Sequence, residues 1–489
     1  MVRFDFEDDR TWSRLLILGV LLCVMVCFTS DVGLDTHVKM AVDDNGALPW
    51  GDLRPDTAGI SDTEDGGSRT VLPLYGLPEI AIKGAALLTM LGTVACVHRM
   101  FGVRSAAVLS LSPALIFSIG RGYEEVYLAL FCTFAMLLLS GSVPSMTRSM
   151  QALLGGVVFM MMPYSKGFVE TPGFVSGTFL MAGGALLFGV AQRSQTGWSK
   201  WLNRPSVTGI FASGLVAVTM TAIGVFGLQS TLGIMADQPL RYISALLFAV
   251  IDLVFIFALF GMVLWPFILP AVRALRSIEH AGLAAMSVYV GAMVTALVFY
   301  VAALWTFEAS LWNASWPWVV VTMGNNGRYI TMLFIPAIIM LKLLSHHADV
   351  PTLDSPRSKA KVMGLTLMVL LPLSLLASLH GQTMWTDEAA EAMDLEQNEH
   401  FLFVSDDTLG MHWLYTFYQP LDAEANDITG HWRSADAPWE VHLNDSLSHV
   451  GTLVTSPDVT LTPNGWSVQS SGEVDLLNGG GEWRVLTRS

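Results

Sequence analysis

Charge is scarce in this 489-residue chain: Asp, Glu, Lys and Arg make up 14% and hydrophobic residues 53%. A soluble chain carries about 25% charged residues. The deficit lies in repeated apolar runs of about 17–25 residues, the length that crosses a bilayer. A soluble globular protein is thereby excluded. Cysteine is nearly as rare, and Cys23, Cys27, Cys96 and Cys132 all fall inside apolar runs. No disulfide framework can therefore tie the polar regions together. Cys23 and Cys27 share a helix face but lack His or carboxylate partners, so they read as small packing residues. Basic excess is absent as well. The net charge of −15 argues against nucleic acid as a partner. No glycine-rich nucleotide loop is evident.

What the chain does have is apolar segments. Leu15–Phe28 is preceded by acidic residues and followed by no small-x-small cleavage site, so it reads as a transmembrane helix rather than a signal peptide. Further runs follow at 78–97, 105–120, 124–141, 151–163, 173–191, 207–228, 242–267, 281–305, 328–345 and 362–379. The expected architecture is an all-α polytopic membrane domain over residues 1–379, with about 11 transmembrane helices. With the N-terminus in the cytoplasm, Arg99, Arg104, Arg148, Arg193, Lys200, Arg204, Arg273 and Arg276 fall in cytoplasmic loops, as the positive-inside rule requires. That orientation puts loop 30–77 and the tail 380–489 on the external face. The expected location is the cell membrane of a prokaryote, with multiple passes.

The tail is long enough for its own core, and it reads as a small, mostly β external domain. A surface helix is expected over Thr386–Asn398, a strand over His400–Ser405 and a helix from the Asp406 region through Tyr418. Strand patterns follow at Trp439–Leu443, Val450–Thr455, Val459–Leu461, Trp466–Val468 and Trp483–Leu486.

Candidate chemistry gathers just past the first apolar run, in Ser30–Pro49, which holds Asp31, Asp35, His37, Lys39, Asp43 and Asp44. A carboxylate at Asp35 can accept a hydroxyl proton, or hold a divalent cation together with His37. A second group is the turn Ile119–Val126, with Arg121, Tyr123, Glu124 and Glu125. An arginine fork there suits a phosphate, and the glutamates suit Arg121, a cation or sugar hydroxyls. The bland reading of that turn is a salt bridge that ends two helices. Lys166 and Arg328, on other outer loops, are candidate phosphate contacts or interfacial anchors, with Asn325 and Asn326 beside the latter. Asp252 stands alone inside an apolar run, where an acid is expensive unless it faces the bundle. Being single, it reads as a satisfied structural carboxyl.

Several stretches together resemble the GT-C superfamily of membrane glycosyltransferases, nearest to its protein mannosyltransferase and lipid-sugar transferase branch. They are Gly33-Leu-Asp-Thr-His37, Gly46-Ala-Leu-Pro49, Leu74-Tyr-Gly-Leu-Pro78, Arg99–Ala106 and Leu111–Arg121, followed by an acidic residue. The match spans roughly residues 13–140. The resemblance implies inverting transfer of a sugar from a polyprenyl- or dolichyl-phosphate donor to a protein, lipid or glycan acceptor at the external membrane face. It implies Asp35 as general base, Arg121 on the departing phosphate, and Glu124 or Glu125 as an assisting acid. The Asp-x-His form in place of Asp-Glu or Asp-x-Asp leaves use of a divalent metal cation open, with Asp35, His37 and Glu124 as its ligands if one is bound. The alternative is a transporter or flippase for a polyprenyl-linked sugar, which would use Asp252 as an internal polar site.

Overall fold

A computed structural model describes residues 6–42, 50, 72–166, 169–226, 230–311, 315–318, 320, 325–353, 359–379, 384–405, 410–476 and 479–488. Gly46–Pro49 and most of the first loop lie outside the described residues. The described part begins with α1 (Asp9–Thr29), α2 (Leu34–Met40), α3 (Glu79–Phe101), α4 (Val103–Ser110), α5 (Pro113–Gly120), α6 (Glu125–Ser140), α7 (Arg148–Ser165) and α8 (Thr171–Arg193). Apolar helices over Pro205–Val225, Pro239–Phe260, Ala281–Leu311, Thr331–Ser345 and Lys359–Leu379 complete the bundle. Among the described residues, eight helices are long and apolar enough to cross a membrane, and α4 with α5 is a bent pair that meets the same test only when the two are taken together.

Local chemistry explains several of these helices. Asp8 caps α1 by accepting from the Arg10 N–H, and Thr147 caps α7 by accepting from Met150. Proline opens α5 and the Pro205 and Pro239 helices, at the first-turn position where its missing N–H costs nothing. The run 105–120, expected as one helix, is two, bent by 55° at Leu111–Ser112. Pro113 cannot donate to the preceding turn and clashes with it, so the run breaks there. The carbonyls freed at the bend find new donors. Ser374 Oγ donates to the Leu111 carbonyl at 2.7 Å, and Cys23 Sγ donates to that of Ser110 at 3.7 Å. Such replacement partners are what make a broken helix tolerable in an apolar medium.

The C-terminal part is built on a five-stranded sheet in the order β2-β1-β3-β5-β4. Its strands are β1 (His400–Ser405), β2 (Thr429–Ser434), β3 (Thr452–Thr455), β4 (Trp466–Glu473) and β5 (Glu482–Arg488). The first three are parallel and the last two run antiparallel to their neighbours. Alternation along β1 splits the core. Phe401 and Phe403 pack with Trp385, Tyr415 and Trp432, while Leu402 and Val404 pack with Trp439, Leu443 and Val450 on the other face.

The strand at His400–Ser405 lies where the sequence placed it, as do those near Val450, Trp466 and Trp483. Two other segments differ. Trp439–Asn444 is a helix, because Trp439 and Leu443 are buried four residues apart while Val441 between them is exposed. Val459–Leu461 is not in a strand. The helix expected over Thr386–Asn398 runs only over Trp385–Met393 and buries Trp385, Ala389, Ala390 and Met393. It stops at Asp394, whose φ of 49° is left-handed. β2 went unread in the sequence because Thr-Gly-His-Trp-Arg-Ser lacks an apolar alternation.

The two parts interlock. Trp50 Nε1 donates to the Ile428 carbonyl at 3.1 Å, and its ring stacks on Tyr415. The backbone N–H of Met384 donates to the Asp31 carboxylate just past α1. α2 is thus held between the bundle and the sheet, with Val38 and Ala41 in the same apolar cluster as Trp50 and Phe401.

Candidate active site

The short helix α2 is the platform of the site. Gly33, which precedes it, donates to the Arg121 carbonyl at 2.9 Å, and Thr36 Oγ1 donates to the same oxygen at 2.9 Å. A Cβ on Gly33 would lie 2.2 Å from the Tyr123 ring, so only glycine lets the strand-like entry to α2 lie against that turn. On the other side of the turn, Gly122 takes a φ of 64° and its carbonyl accepts from Tyr75. The turn between α5 and α6 and the start of α2 are therefore one locked unit.

Helical geometry then sorts the side chains. Residues four apart share a face and residues two apart do not. Asp35 and Lys39 accordingly face one cluster and His37 another. Arg328 Nη1 reaches Asp35 Oδ2 at 2.7 Å, and its Nε lies 3.5 Å from Glu125. Lys166 lies 2.8 Å from Glu124 and 3.2 Å from Glu125, while Lys39 lies 3.0 Å from the other oxygen of Glu124. Glu124 and Glu125 are fully buried. The Arg328 guanidinium rests over the Tyr123 ring, 4.5 Å from its centroid. The Thr331 hydroxyl donates to the Glu125 carbonyl.

These contacts are ion pairs more than aligned hydrogen bonds. Arg328 Nε and Nη1 and both Glu124 oxygens have no aligned hydrogen-bond partner among the described residues. The guanidinium is nevertheless ion-paired on both sides, to Asp35 and to Glu125.

Burial opposes ionisation of Asp35, yet the combined charges of Arg328, His412, Lys39 and Lys166 overcome it and hold its carboxyl far below the usual range. Lys166 is likewise held protonated: burial works against it, and Glu124 and Glu125 outweigh burial. Burial pulls Lys39 downward against the opposing pull of Glu124.

His37 lies in a different environment. Burial first, then the charges of Arg121 and Lys83, lower its pKa to about 4, and neither ring nitrogen has a hydrogen-bond partner among the described residues. The residues the sequence offered as a catalytic pair, Asp35 and His37, point to opposite sides of α2. Arg121 sits over Phe117 at 5.2 Å, and its charge acts on His37, Asp31 and Tyr123. The structure thus brings together Asp35, Tyr123, Glu124, Glu125, Lys166 and Arg328, turns His37 to the other side of α2, and sets Arg121 within electrostatic reach of both Tyr123 and His37. The side chains of Asn325 and Asn326 lie outside the described residues. Asp252 borders a small cavity with Ala249, Leu253, Leu297, Val301 and Tyr329.

Sequence reasoning gave Lys39 no role and overlooked His412. Lys39 is four residues from Asp35, a spacing that becomes meaningful only once 34–40 is a helix. His412 comes from the C-terminal part, with Nε2 3.7 Å from Asp35 Oδ1; nothing local in the sequence points to it. The candidate metal set Asp35, His37 and Glu124 does not fit an ion. His37 faces away, Glu124 is already flanked by Lys39 and Lys166, and these residues form no metal-binding group among the described residues.

Two solved structures of ArnT from Cupriavidus metallidurans are similar to this chain. The structure bound to undecaprenyl phosphate is 13% identical over 97% of each chain, with a TM-score of 0.36. The apo structure is 12% identical over 98% of each chain, with a TM-score of 0.35. No family model matches the chain, and no curated relative matches it.

Proposed function

We propose that the protein is a membrane glycosyltransferase that moves a sugar from a polyprenyl- or dolichyl-phosphate donor to an acceptor hydroxyl at the external face, with inversion and with Asp35 as general base. The observation that carries this reading is the buried cation cluster beside Asp35, in which Arg328 lies between Asp35 and Glu125 and Lys166 and Lys39 flank Glu124. The motif resemblance around Asp35 supports the same chemistry.

The donor phosphate enters against Arg328, flanked by Lys166 and Lys39. Its oxygens compete with Asp35 for the guanidinium. A carboxylate tied to arginine is a poor base, and one released from it becomes a better base. Asp35 then takes the proton of the acceptor hydroxyl while the hydroxyl oxygen attacks the anomeric carbon from the face opposite the phosphate. The bond from that carbon to the phosphate oxygen breaks, and the lipid phosphate leaves with its charge facing Arg328 and the two lysines. Preorganised cations of this kind act where charge develops. Glu124 and Glu125 hold the lysines in place, and no step is routed through a metal.

The test is transfer of labelled sugar from a short-chain polyprenyl-phosphate donor in proteoliposomes, with the unglycosylated polyprenyl phosphate as competitor. Arg328→Met is expected to lower transfer at least a hundredfold and to weaken inhibition by the competitor. Wild-type-like transfer and inhibition in that variant would remove Arg328 from the phosphate site.

A further inference from the structure

Away from the Asp35 cluster, the C-terminal sheet gathers three imidazoles from three separate segments. His400 opens β1, His431 is the third residue of β2, and His449 lies in the loop that enters β3. Parallel pairing sets Leu402 beside His431, so His400, Leu402 and His431 share one face of the sheet. His400 Nδ1 and His431 Nε2 are 3.1 Å apart, and the ligand nitrogens of all three residues lie within 4.8 Å of one another. The His400 and His431 rings are nearly parallel, at 15°, while His449 stands across them at 88° and 78°. His431 is buried, His400 half-buried and His449 exposed, so the group is open on one side.

A hydrogen bond between two imidazoles accounts for the pair His400–His431, but it leaves the approach of His449 unexplained. We propose that these three histidines form a binding site for a divalent transition-metal ion of the zinc class, with three imidazole ligands and a fourth position open to water. Zinc takes imidazole nitrogens at about 2.0–2.1 Å in a tetrahedron, which sets ligand nitrogens about 3.3 Å apart. The close pair is already near that spacing. His449 closes the remainder by swinging in from its exposed loop. The bound ion ties together the N-terminal ends of β1 and β2 and the entry to β3, and so braces the parallel half of a sheet that carries no cysteine. Imidazole sites also accept cobalt and nickel, which makes Co²⁺ a useful optical probe.

The experiment uses full-length protein in detergent, with any affinity tag removed and metals stripped by chelator, titrated with Zn²⁺, Co²⁺ and Ni²⁺. Expected are one tightly bound equivalent of Zn²⁺, a tetrahedral Co²⁺ spectrum, and a zinc-dependent rise in melting temperature. His449→Ala, a surface change that leaves the fold intact, is expected to weaken Zn²⁺ binding at least tenfold and to abolish the thermal shift. His400→Ala is expected to do the same, and Asp35→Asn to bind zinc as wild type does. Absence of saturable binding by all three ions overturns the proposal. So does binding that survives both histidine variants unchanged, or that is lost in Asp35→Asn instead.

Discussion

At the scale of single residues, α2 divides its side chains between two electrostatic environments. Asp35 is surrounded by cations and stays ionised, while His37 is buried near Arg121 and Lys83 and stays neutral. The His37 pKa of about 4 in the fold lies below the unfolded value near 6.5, so the unfolded chain binds more protons between them. The corresponding stability is complete above about pH 6.5 and is lost as pH falls toward about 4. At about 1.4 kcal/mol per unit this amounts to roughly 3 kcal/mol. Thermal melts across that window should show His37→Leu falling less steeply with acid than wild type; parallel curves would place His37 elsewhere than in a cationic pocket. The Asp35 cluster was legible in the sequence only in part. The acids and basic residues stood out as too many charges for a membrane boundary, but a two-residue spacing reads as one group in a loop and as opposite faces in a helix. That difference separates His37 from Asp35.

At the scale of elements, the site depends on how closely α2 approaches the turn between α5 and α6. Gly33 against Tyr123 sets that approach, and the paired hydrogen bonds to the Arg121 carbonyl hold it. Gly33→Ala places a methyl group inside the ring's contact distance, an overpacking expected to cost about 1–3 kcal/mol. It should lower both the melting temperature and the transfer rate, the second by more than tenfold through displacement of Asp35 from Arg328. A variant that loses neither would show that α2 can shift freely without harm. Apolar segments were legible at this scale because hydropathy reports them directly. The bend at Pro113 was signalled by the proline, yet the unbroken apolar run masked it. In the tail, Trp439–Asn444 carries residues that suit either a strand or a helix, and only packing of Trp439 and Leu443 on one side of the sheet decides for helix.

At the scale of the whole molecule, the C-terminal part is joined to the candidate site. It receives Trp50 from the segment after α2, ties down Asp31 through Met384, and sends His412 to Asp35. None of these contacts was visible in the sequence, because each joins residues more than 350 positions apart and no local pattern encodes them. The proposed orientation, with this end of the bundle outside the cell, rests on the charge bias of the loops. A cysteine introduced at exposed Val468 on β4 should react with a membrane-impermeant maleimide in intact cells; labelling only after lysis would reverse the topology and move the reaction to the cytoplasmic face. The central claim is sugar transfer from a lipid-phosphate donor with Asp35 as base. Its most direct measurement compares wild type with Asp35→Asn in proteoliposomes, reading transfer and donor binding together. A fall in transfer of at least a hundredfold, the scale of a lost general base, with donor binding retained, is the expected result. Transfer at the wild-type rate in Asp35→Asn, or none from any lipid-phosphate donor in folded wild type, would contradict the claim.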